Sequence, residues 1–312
     1  MGLRIAIIGT GRIGAALAFK LGFEQYVDEL VLVDVIPKLA SMVKEDIYHG
    51  LALHGISIDI FAYEDASKVR EADMVIITAG ATRKPGISRR DLAEKNFKVV
   101  SRIVKALFPH NEDSWFFVIT NPVDALSTLV SQLTKSEKVV GTGTCLESAR
   151  LRAYLSRTLR VPMSSVDAYV GGEHGEQAVP LWSMVSVDGK AIENFLKRQD
   201  VANYKEEAEK YIKNISSEII SVQGATMWGS AGAFIEIIRG IALNTGRVMC
   251  FSMAHRFEEV PIPIHVTIPA KIGKKLGPTT WDILLEDEKR AIIDAAKAIY
   301  ETYNRGKRSL DL

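Results

Sequence analysis

The chain has 312 residues, of which 47% are apolar, and it balances 39 basic against 38 acidic residues. That length suits two closely joined domains, and the near-neutral charge excludes a general electrostatic pull toward nucleic acid or an anionic membrane. The two cysteines, Cys145 and Cys250, are far apart and form no CxxC pair, which fits a reducing, cytoplasmic setting better than a disulfide framework.

The opening apolar run, LRIAIIG, is too short for a signal-peptide core and has no cleavage site, and no apolar stretch reaches the length needed to span a bilayer. Short β-rich runs at Leu3 to Ile8, Leu30 to Asp34, Ile56 to Ala62, Met74 to Thr78 and Trp115 to Thr120 read as buried parallel strands. Stretches with helical spacing, such as IGAALAFKLGF and LAEKNFKVVSRIVKALF, separate them, and Lys138 to Gly141 adds a sixth short strand. This alternation predicts an α/β fold, a Rossmann-type doubly wound parallel sheet. After Gly143 the pattern changes. A helical segment, LESARLRAYLSRTL, leads into Val166 to Val170 and a strand-like LWSMVSV that ends in Asp188-Gly189, a hairpin turn signal. Amphipathic stretches at Tyr204 to Val222 and Ala231 to Leu243, strands around Val248 to Met253 and Ile264 to Ile268, and a charged helix from Glu286 to Tyr303 complete a mixed α+β half. The expected division is a dinucleotide-binding domain over 1–143 and a substrate domain over 144–312.

Residues 9–14 read GTGRIG, directly after the first strand and opening the first helix. Gly9 permits the tight turn, Gly11 lets the backbone approach a pyrophosphate, and Gly14 lets helix and strand pack closely. The helix N-terminus offers N–H groups and partial positive charge to phosphates, so the loop as a whole, with Thr10, Arg12 and Ile13, is a cofactor candidate. Asp34 follows twenty residues after Gly14. Its carboxylate suits the hydroxyls of an adenine ribose and repels a 2′-phosphate, favouring NAD over NADP, although the neighbouring Lys38 softens that preference.

Residues 81–90 read ATRKPGISRR, with three arginines and one lysine. The run admits three readings: a nucleic-acid patch, a solvated loop, or arginines kept for an anionic substrate. Neutral overall charge and the lack of nearby aromatic platforms weaken the first. Its place after the fourth strand sets it over the ligand crevice of an open sheet. Asn121, in ITNPVD at the end of the fifth strand, has the same location and suits a hydrogen bond to a substrate oxygen and a nicotinamide amide, though Asn-Pro is also a plain turn signal.

In the second half, GGEHGEQAVPLWS sets His174 among small residues, and CLESARLR sets Glu147 and Arg150 three apart on one helix face. A histidine that cycles its proton needs an orienting carboxylate, and an arginine one turn away suits a bidentate grip on a substrate carboxylate. An ordinary ion pair on an exposed helix fits the same spacing. The other five histidines show no metal-ligand spacing, and no metal is expected.

Taken together, GTGRIG, LVLVD, TAGATRKPGISRRDL, ITNPVD, LESARLR and GEHGEQAVPLWS, in that order from about Gly9 to Ser183, resemble the lactate and malate dehydrogenase family, most of all its malate dehydrogenases of the lactate-dehydrogenase-like type. GATMWG and the rest of the second half fit more loosely. The resemblance implies NAD as cofactor, with further contacts at Thr78, Ala79, Gly80, Asn96 and Asn121. It implies His174 as the proton-transfer residue, with Glu147 in the place of a partner that is usually aspartate. It implies Arg150 as the carboxylate clamp, Arg89 as the lid arginine that polarises the ketone, and Arg83 at the position that reads the substrate. There malate enzymes carry arginine and lactate enzymes typically glutamine. Thr226 falls near the implied pocket wall. The implied reaction is hydride exchange between NADH and oxaloacetate giving (S)-malate, as in the tricarboxylic acid cycle, by a cytoplasmic homo-oligomer, a tetramer or a dimer, with no nucleic-acid or membrane partner. The competing readings are a lactate or other 2-hydroxy acid dehydrogenase, an NAD- and metal-dependent glycosidase with Cys145 as a thiolate ligand, and a non-catalytic NAD sensor. The glutamate at 147 is a departure, because its extra methylene moves the carboxylate by roughly an ångström unless the backbone or rotamer compensates.

Overall fold

The structure is a computed structural model that describes residues 2–81 and 89–310, with side chains 89–91 outside the description. The chain divides into two compact units. The first comprises Met1–Thr142, Met253–His265 and Ala298–Leu312, and the second Gly143–Ser252 and Val266–Lys297.

In the first unit, strands β1 (Leu3–Ile8), β2 (Val27–Val33), β3 (Asp59–Tyr63), β4 (Met74–Ile77), β5 (Trp115–Val118) and β6 (Val139–Gly141) alternate with helices. These are α1 (Arg12–Leu21), α2 (Leu39–Ala52), α3 (Arg89–Leu107) and α4 (Val123–Thr134). The strands lie in the order β3-β2-β1-β4-β5-β6 and every pairing among them is parallel. Ile5 faces Leu30 on one side and Met74 on the other. Continuous apolar runs such as MVII, buried at all four residues, are what a parallel sheet covered on both faces requires. This is the Rossmann-type doubly wound sheet. The strand order reverses between β1 and β4, so the ligand crevice of the sheet lies at their carboxyl ends. Gly9, Thr78 and, after the neighbouring strand β5, Asn121 all follow strand ends there.

In the second unit, helix α5 (Cys145–Leu159) is followed by β7 (Val166–Asp167), β8 (Val170–Gly172), β9 (Ala178–Pro180), β10 (Ser186–Val187) and β11 (Lys190–Ala191). Helices α6 (Val201–Gln223) and α7 (Trp228–Ala242) come next, then β12 (Val248–Met249) and β15 (Ala270–Lys271). Along the chain, β13 (Ser252–His255) falls in the first unit from Met253 on, and β14 (Ile264–Thr267) and α8 (Glu286–Arg308) are divided, with residues 266–267 and 286–297 in the second unit. Leu151 and Leu155 of α5 share a core with Val166, Val170, Val187, Ala208 and Ile212. Here the pairings are antiparallel: β8 with β9 and with β14, β10 with β7 and β11, and β12 with β15. This is the mixed α+β half expected from the change of pattern after Gly143.

The strand-like LWSMVSV is shorter as a strand than its apolar character suggests. Trp182–Met184 form a 3-10 turn, closed by the Met184 N–H on Leu181 O at 2.9 Å. The turn is tied to helices: Trp182 Nε1 donates to Glu209 Oε1 at 3.1 Å, and the Ser183 backbone N–H donates to Glu288 Oε1 at 3.0 Å. Only Ser186–Val187 pair as a strand, and Asp188 and Gly189, both at positive φ, make the expected turn into β11. Ile56 is also not yet strand, because its N–H returns to Leu51 O at the end of α2, and β3 begins at Asp59. Val166 to Val170 and Val248 to Met253 each divide between two short strands, β7 with β8 and β12 with β13.

His255 closes β13 with its Nε2 buried and without a hydrogen-bond partner among the described residues. Burial lowers it from 6.5 to about 4. The unfolded chain therefore binds the extra proton first, and stability falls as pH drops from about 6.5 through about 4. Each pH unit in that window costs at most about 1.4 kcal/mol. Urea melts of the wild type and His255→Phe between those pH values should diverge, the variant losing less stability on acidification. Parallel pH dependences would show that this ring does not titrate across folding.

Candidate active site

The first unit presents a cradle at the carboxyl ends of its strands. β1 ends at Ile8 and the chain turns at Gly9, whose φ of 102° disfavours any residue with a side chain. A Cβ on Gly14 would lie 2.0 Å from Gly9 O, so loop and helix can approach this closely only with glycine there. Gly11 is different: no heavy atom of the described residues lies within 4 Å of where its Cβ would be. It is the N-cap of α1 and supplies no side-chain cap, leaving open space in front of first-turn N–H groups that have no intrahelical acceptor. That is the shape and polarity a pyrophosphate needs.

Asp34 holds this loop in place. Its Oδ2 accepts from Thr10 N at 2.8 Å and from Thr10 Oγ1 at 3.3 Å, and its Oδ1 accepts from Ile36 N at 3.0 Å. A carboxylate has about four acceptor positions, so ribose hydroxyls would share it with the loop. The link between Thr10 and Asp34 cannot be read from spacing.

Behind the loop, hydroxyls and one amide fix the strand ends. Thr78 Oγ1 donates to Gly9 O and Thr120 Oγ1 to Ala79 O at 2.8 Å. Buried Asn96 accepts from Ala81 N through Oδ1 and donates to Asn121 O through Nδ2, both at 2.7 Å. Asn96 thereby joins the chain after β4 to the chain after β5. Asn121 is exposed, and its Oδ1 accepts from Val123 N at 3.3 Å. Thr120 was missed at the sequence level. Its position one residue before Asn121 was the only available signal.

The second unit brings Glu147, His174 and Arg150 together. Glu147 lies in the first turn of α5 and is only 4% exposed. His174 sits between β8 and β9 in a tight loop closed by Glu173 N on Gln177 O at 3.2 Å. Gly172 and Gly175, both at positive φ, give that loop its shape. His174 Nδ1 lies 3.1 Å and Arg150 Nη1 3.3 Å from the same atom, Glu147 Oε1. The glutamate therefore reaches the histidine despite its extra methylene. Burial works against ionising Glu147, but His174 and then Arg150 outweigh it and hold the carboxyl below its ordinary value. Burial likewise draws Arg150 down from the usual guanidinium range, with Glu147 opposing.

Thr226 lies between α6 and α7, where its Oγ1 is 3.1 Å from Ser230 Oγ. Burial pushes the Cys145 thiol well above its ordinary value, which suits a small buried hydrophobe and not a thiolate ligand. Arg83 and the side chain of Arg89 lie outside the described residues. No cluster of three or more His, Cys, Asp or Glu suited to a metal occurs among the described residues, and among them no helix is long and apolar enough to cross a membrane.

Residues 3–141 match the family model of the lactate/malate dehydrogenase NAD binding domain, and residues 144–307 match that of the lactate/malate dehydrogenase alpha/beta C-terminal domain. The malate dehydrogenase of Sulfurisphaera tokodaii is 36% identical, across 99% of this chain and 97% of that protein. L-lactate dehydrogenase 2 of Staphylococcus aureus is 32% identical, across 99% and 98%. The apo structure of malate dehydrogenase from Picrophilus torridus superposes with a TM-score of 0.90 at 25% identity, covering 100% of this chain and 99% of that one.

The glycine loop separates two effects of substitution. Gly14→Ala should destabilise the fold by about 1–3 kcal/mol, because its Cβ meets backbone. Gly11→Val should melt like the wild type yet bind NADH at least about tenfold more weakly, because it fills the space left for phosphate. Thermal melts with NADH fluorescence titrations check both. Wild-type affinity in Gly11→Val would remove the cradle from the cofactor site.

Proposed function

The chain belongs to the lactate/malate dehydrogenase family and is an NAD-dependent oxidoreductase, and from that premise we propose that it is a malate dehydrogenase interconverting oxaloacetate and (S)-malate. The observation that supports the chemistry is the buried carboxylate of Glu147 shared by His174 and Arg150. The glycine loop, Asp34 and the residues around Thr78 to Gly80, Asn96 and Asn121 would hold NADH, which when bound would supply the hydride for the ketone carbon. In this reading Arg150 grips the carboxylate next to the reacting carbon with two parallel hydrogen bonds. Protonated His174 donates to the ketone oxygen as that oxygen gains charge, and neutral His174 takes the proton back in malate oxidation. Glu147 keeps Nδ1 facing inward and balances the cation. Asn121 hydrogen-bonds the substrate, Arg89 polarises the ketone, and Thr226 borders the pocket. The proposal includes the division into a cofactor domain over 1–143 and a substrate domain over 144–312. It also includes a place in the tricarboxylic acid cycle, a cytoplasmic setting and a homo-oligomeric state, tetramer or dimer.

Substrate choice rests on Arg83. Oxaloacetate brings a second carboxylate for it, whereas pyruvate leaves it without a partner. A charge-assisted hydrogen bond contributes about 1.5–3 kcal/mol, or roughly tenfold to a hundredfold. An unmatched polar group in a closed site can widen the gap to on the order of 10⁴. Following NADH absorbance, kcat/KM for oxaloacetate should exceed that for pyruvate by on the order of 10²–10⁴, and Arg83→Gln should move the ratio toward pyruvate. Equal values for the two ketoacids in the wild type would sink the malate assignment.

A second variant addresses the chemistry. Glu147→Gln should reduce turnover on the order of 10³-fold or more, as expected when a histidine loses its orienting carboxylate. NADH affinity should be unchanged, since the cradle lies on other residues. Undiminished turnover would remove the pair from the mechanism.

A further inference from the structure

We propose that Thr144 and Ser148 are positioning residues for proton transfer, holding the hairpin that carries His174 against the helix that carries Glu147. The inference rests on the reading of His174 and Glu147 given above. Its basis is the backbone of Val170, the fully buried first residue of β8. Val170 lies opposite Pro180 in the β8–β9 pairing, between pairs that carry the ladder bonds, since Leu181 N donates to Tyr169 O at 2.9 Å and Glu173 N to Gln177 O at 3.2 Å. The N–H and C=O of Val170 therefore point away from β9 and find no partner there. Buried backbone groups left without partners are costly. Two side chains of the α5 N-terminus supply the partners. Thr144 Oγ1 donates to Val170 O, and Val170 N donates to Ser148 Oγ at 3.0 Å. Ser148 Oγ in turn donates to Thr144 O at 2.9 Å. Both polar groups of one strand residue are thus held by hydroxyls one helical turn apart.

The tie closes into a ring. Thr144 N donates to Thr267 Oγ1 at 3.2 Å, and Thr267 of β14 pairs with Gly172 of β8. Gly143, at φ 49°, has no room for a Cβ, which would sit 2.2 Å from Thr267 Oγ1. The start of α5, β8 and β14 therefore have one mutual register. Glu147 is the residue before Ser148, and His174 is four residues beyond Val170. The 3.1 Å approach of the pair is thereby braced from both sides close to its members. The Cys250 thiol also faces Ser148 and the Val170 backbone. Burial pushes it up to about 11, which makes it a neutral neighbour.

A displacement of about 1 Å at a reacting group can cost on the order of 10²-fold, so Ser148→Ala should lower kcat roughly tenfold to a hundredfold. The test is a cycle of Ser148→Ala, Glu147→Gln and the double variant, with NADH affinity and thermal melts measured alongside. If Ser148 acts through the pair, adding Ser148→Ala to Glu147→Gln should change kcat by less than about twofold, with NADH affinity unaltered throughout. Multiplying losses, or a single Ser148→Ala variant with wild-type kcat, would overturn the proposal. Failure of the underlying reading looks different: Glu147→Gln alone would keep wild-type turnover. Should Ser148→Ala not fold, Thr144→Val and Thr144→Ser give the same decision. The valine should lose kcat and the serine recover most of it, and equal kcat in the two would overturn the positioning role.

Discussion

The second unit depends on one charge that has been taken out of water. A carboxylate as buried as Glu147 is strongly unfavourable by itself, and it persists because the Arg150 guanidinium and the His174 ring approach the same oxygen, Oε1. Oε2 is buried without a hydrogen-bond partner among the described residues, so the balance rests on His174 and Arg150. Removing either leaves a buried charge less than compensated, which is the costly way to break such a group. The three side chains form one electrostatic unit, and their substitutions should not add. The sign with respect to pH follows. The Glu147 carboxyl is held below its ordinary value of 4.5, so its stabilisation is present above that value and is lost as pH falls through the lowered one.

The first unit meets a different constraint with different means. A nucleotide cradle must expose backbone N–H groups and still keep its own shape. Here the shape comes from groups behind the loop: Thr10 on Asp34, Thr78 on Gly9, Thr120 on Ala79, and Asn96 between Ala81 and Asn121. All of these bonds involve backbone donors or acceptors just past the ends of β1, β4 and β5. Among the described residues, nothing fills the space in front of Gly11 at the α1 N-terminus. The bonding that orders the loop thus leaves clear the face where phosphate would lie.

Much of this was legible in the sequence, for identifiable reasons. Buried parallel strands are short runs of apolar residues, and MVII or WFFV between polar stretches has no competing interpretation. The glycines of GTGRIG announced themselves because three separate steric requirements coincide in six residues. The apolar run LWSMVSV misled, because Trp182 and Ser183 take partners on α6 and α8 that no local pattern reveals. The Glu147–Arg150 pair was visible from helical spacing, yet spacing alone could not distinguish it from a surface ion pair. Only burial decides that. The approach of His174, twenty-seven residues after Glu147, is a tertiary fact that local pattern could suggest but not establish. Thr144 and Ser148 were unreadable because their value lies in the polar groups of Val170 that turn away from β9, a feature of a strand whose register must first be known.

The scaffold and the substrate choice are separable, and chemistry explains why. Lactate and malate share the carbinol carbon and its adjacent carboxylate, so a histidine, its carboxylate partner and one arginine clamp serve both. Relatives of both kinds accordingly align along almost the whole chain, at 36% and 32% identity. The two ketoacids differ only beyond that point, where pyruvate ends in a methyl and oxaloacetate continues to a second carboxylate. An apolar pocket discriminates weakly between substrates, about 1–3 kcal/mol for one methylene. A charged partner that is either matched or stranded discriminates far more steeply. Specificity in the proposed reaction therefore concentrates in a single cationic position such as Arg83, and a change there can redirect the substrate while the proposed proton-transfer unit of Glu147, His174 and Arg150 remains as it is.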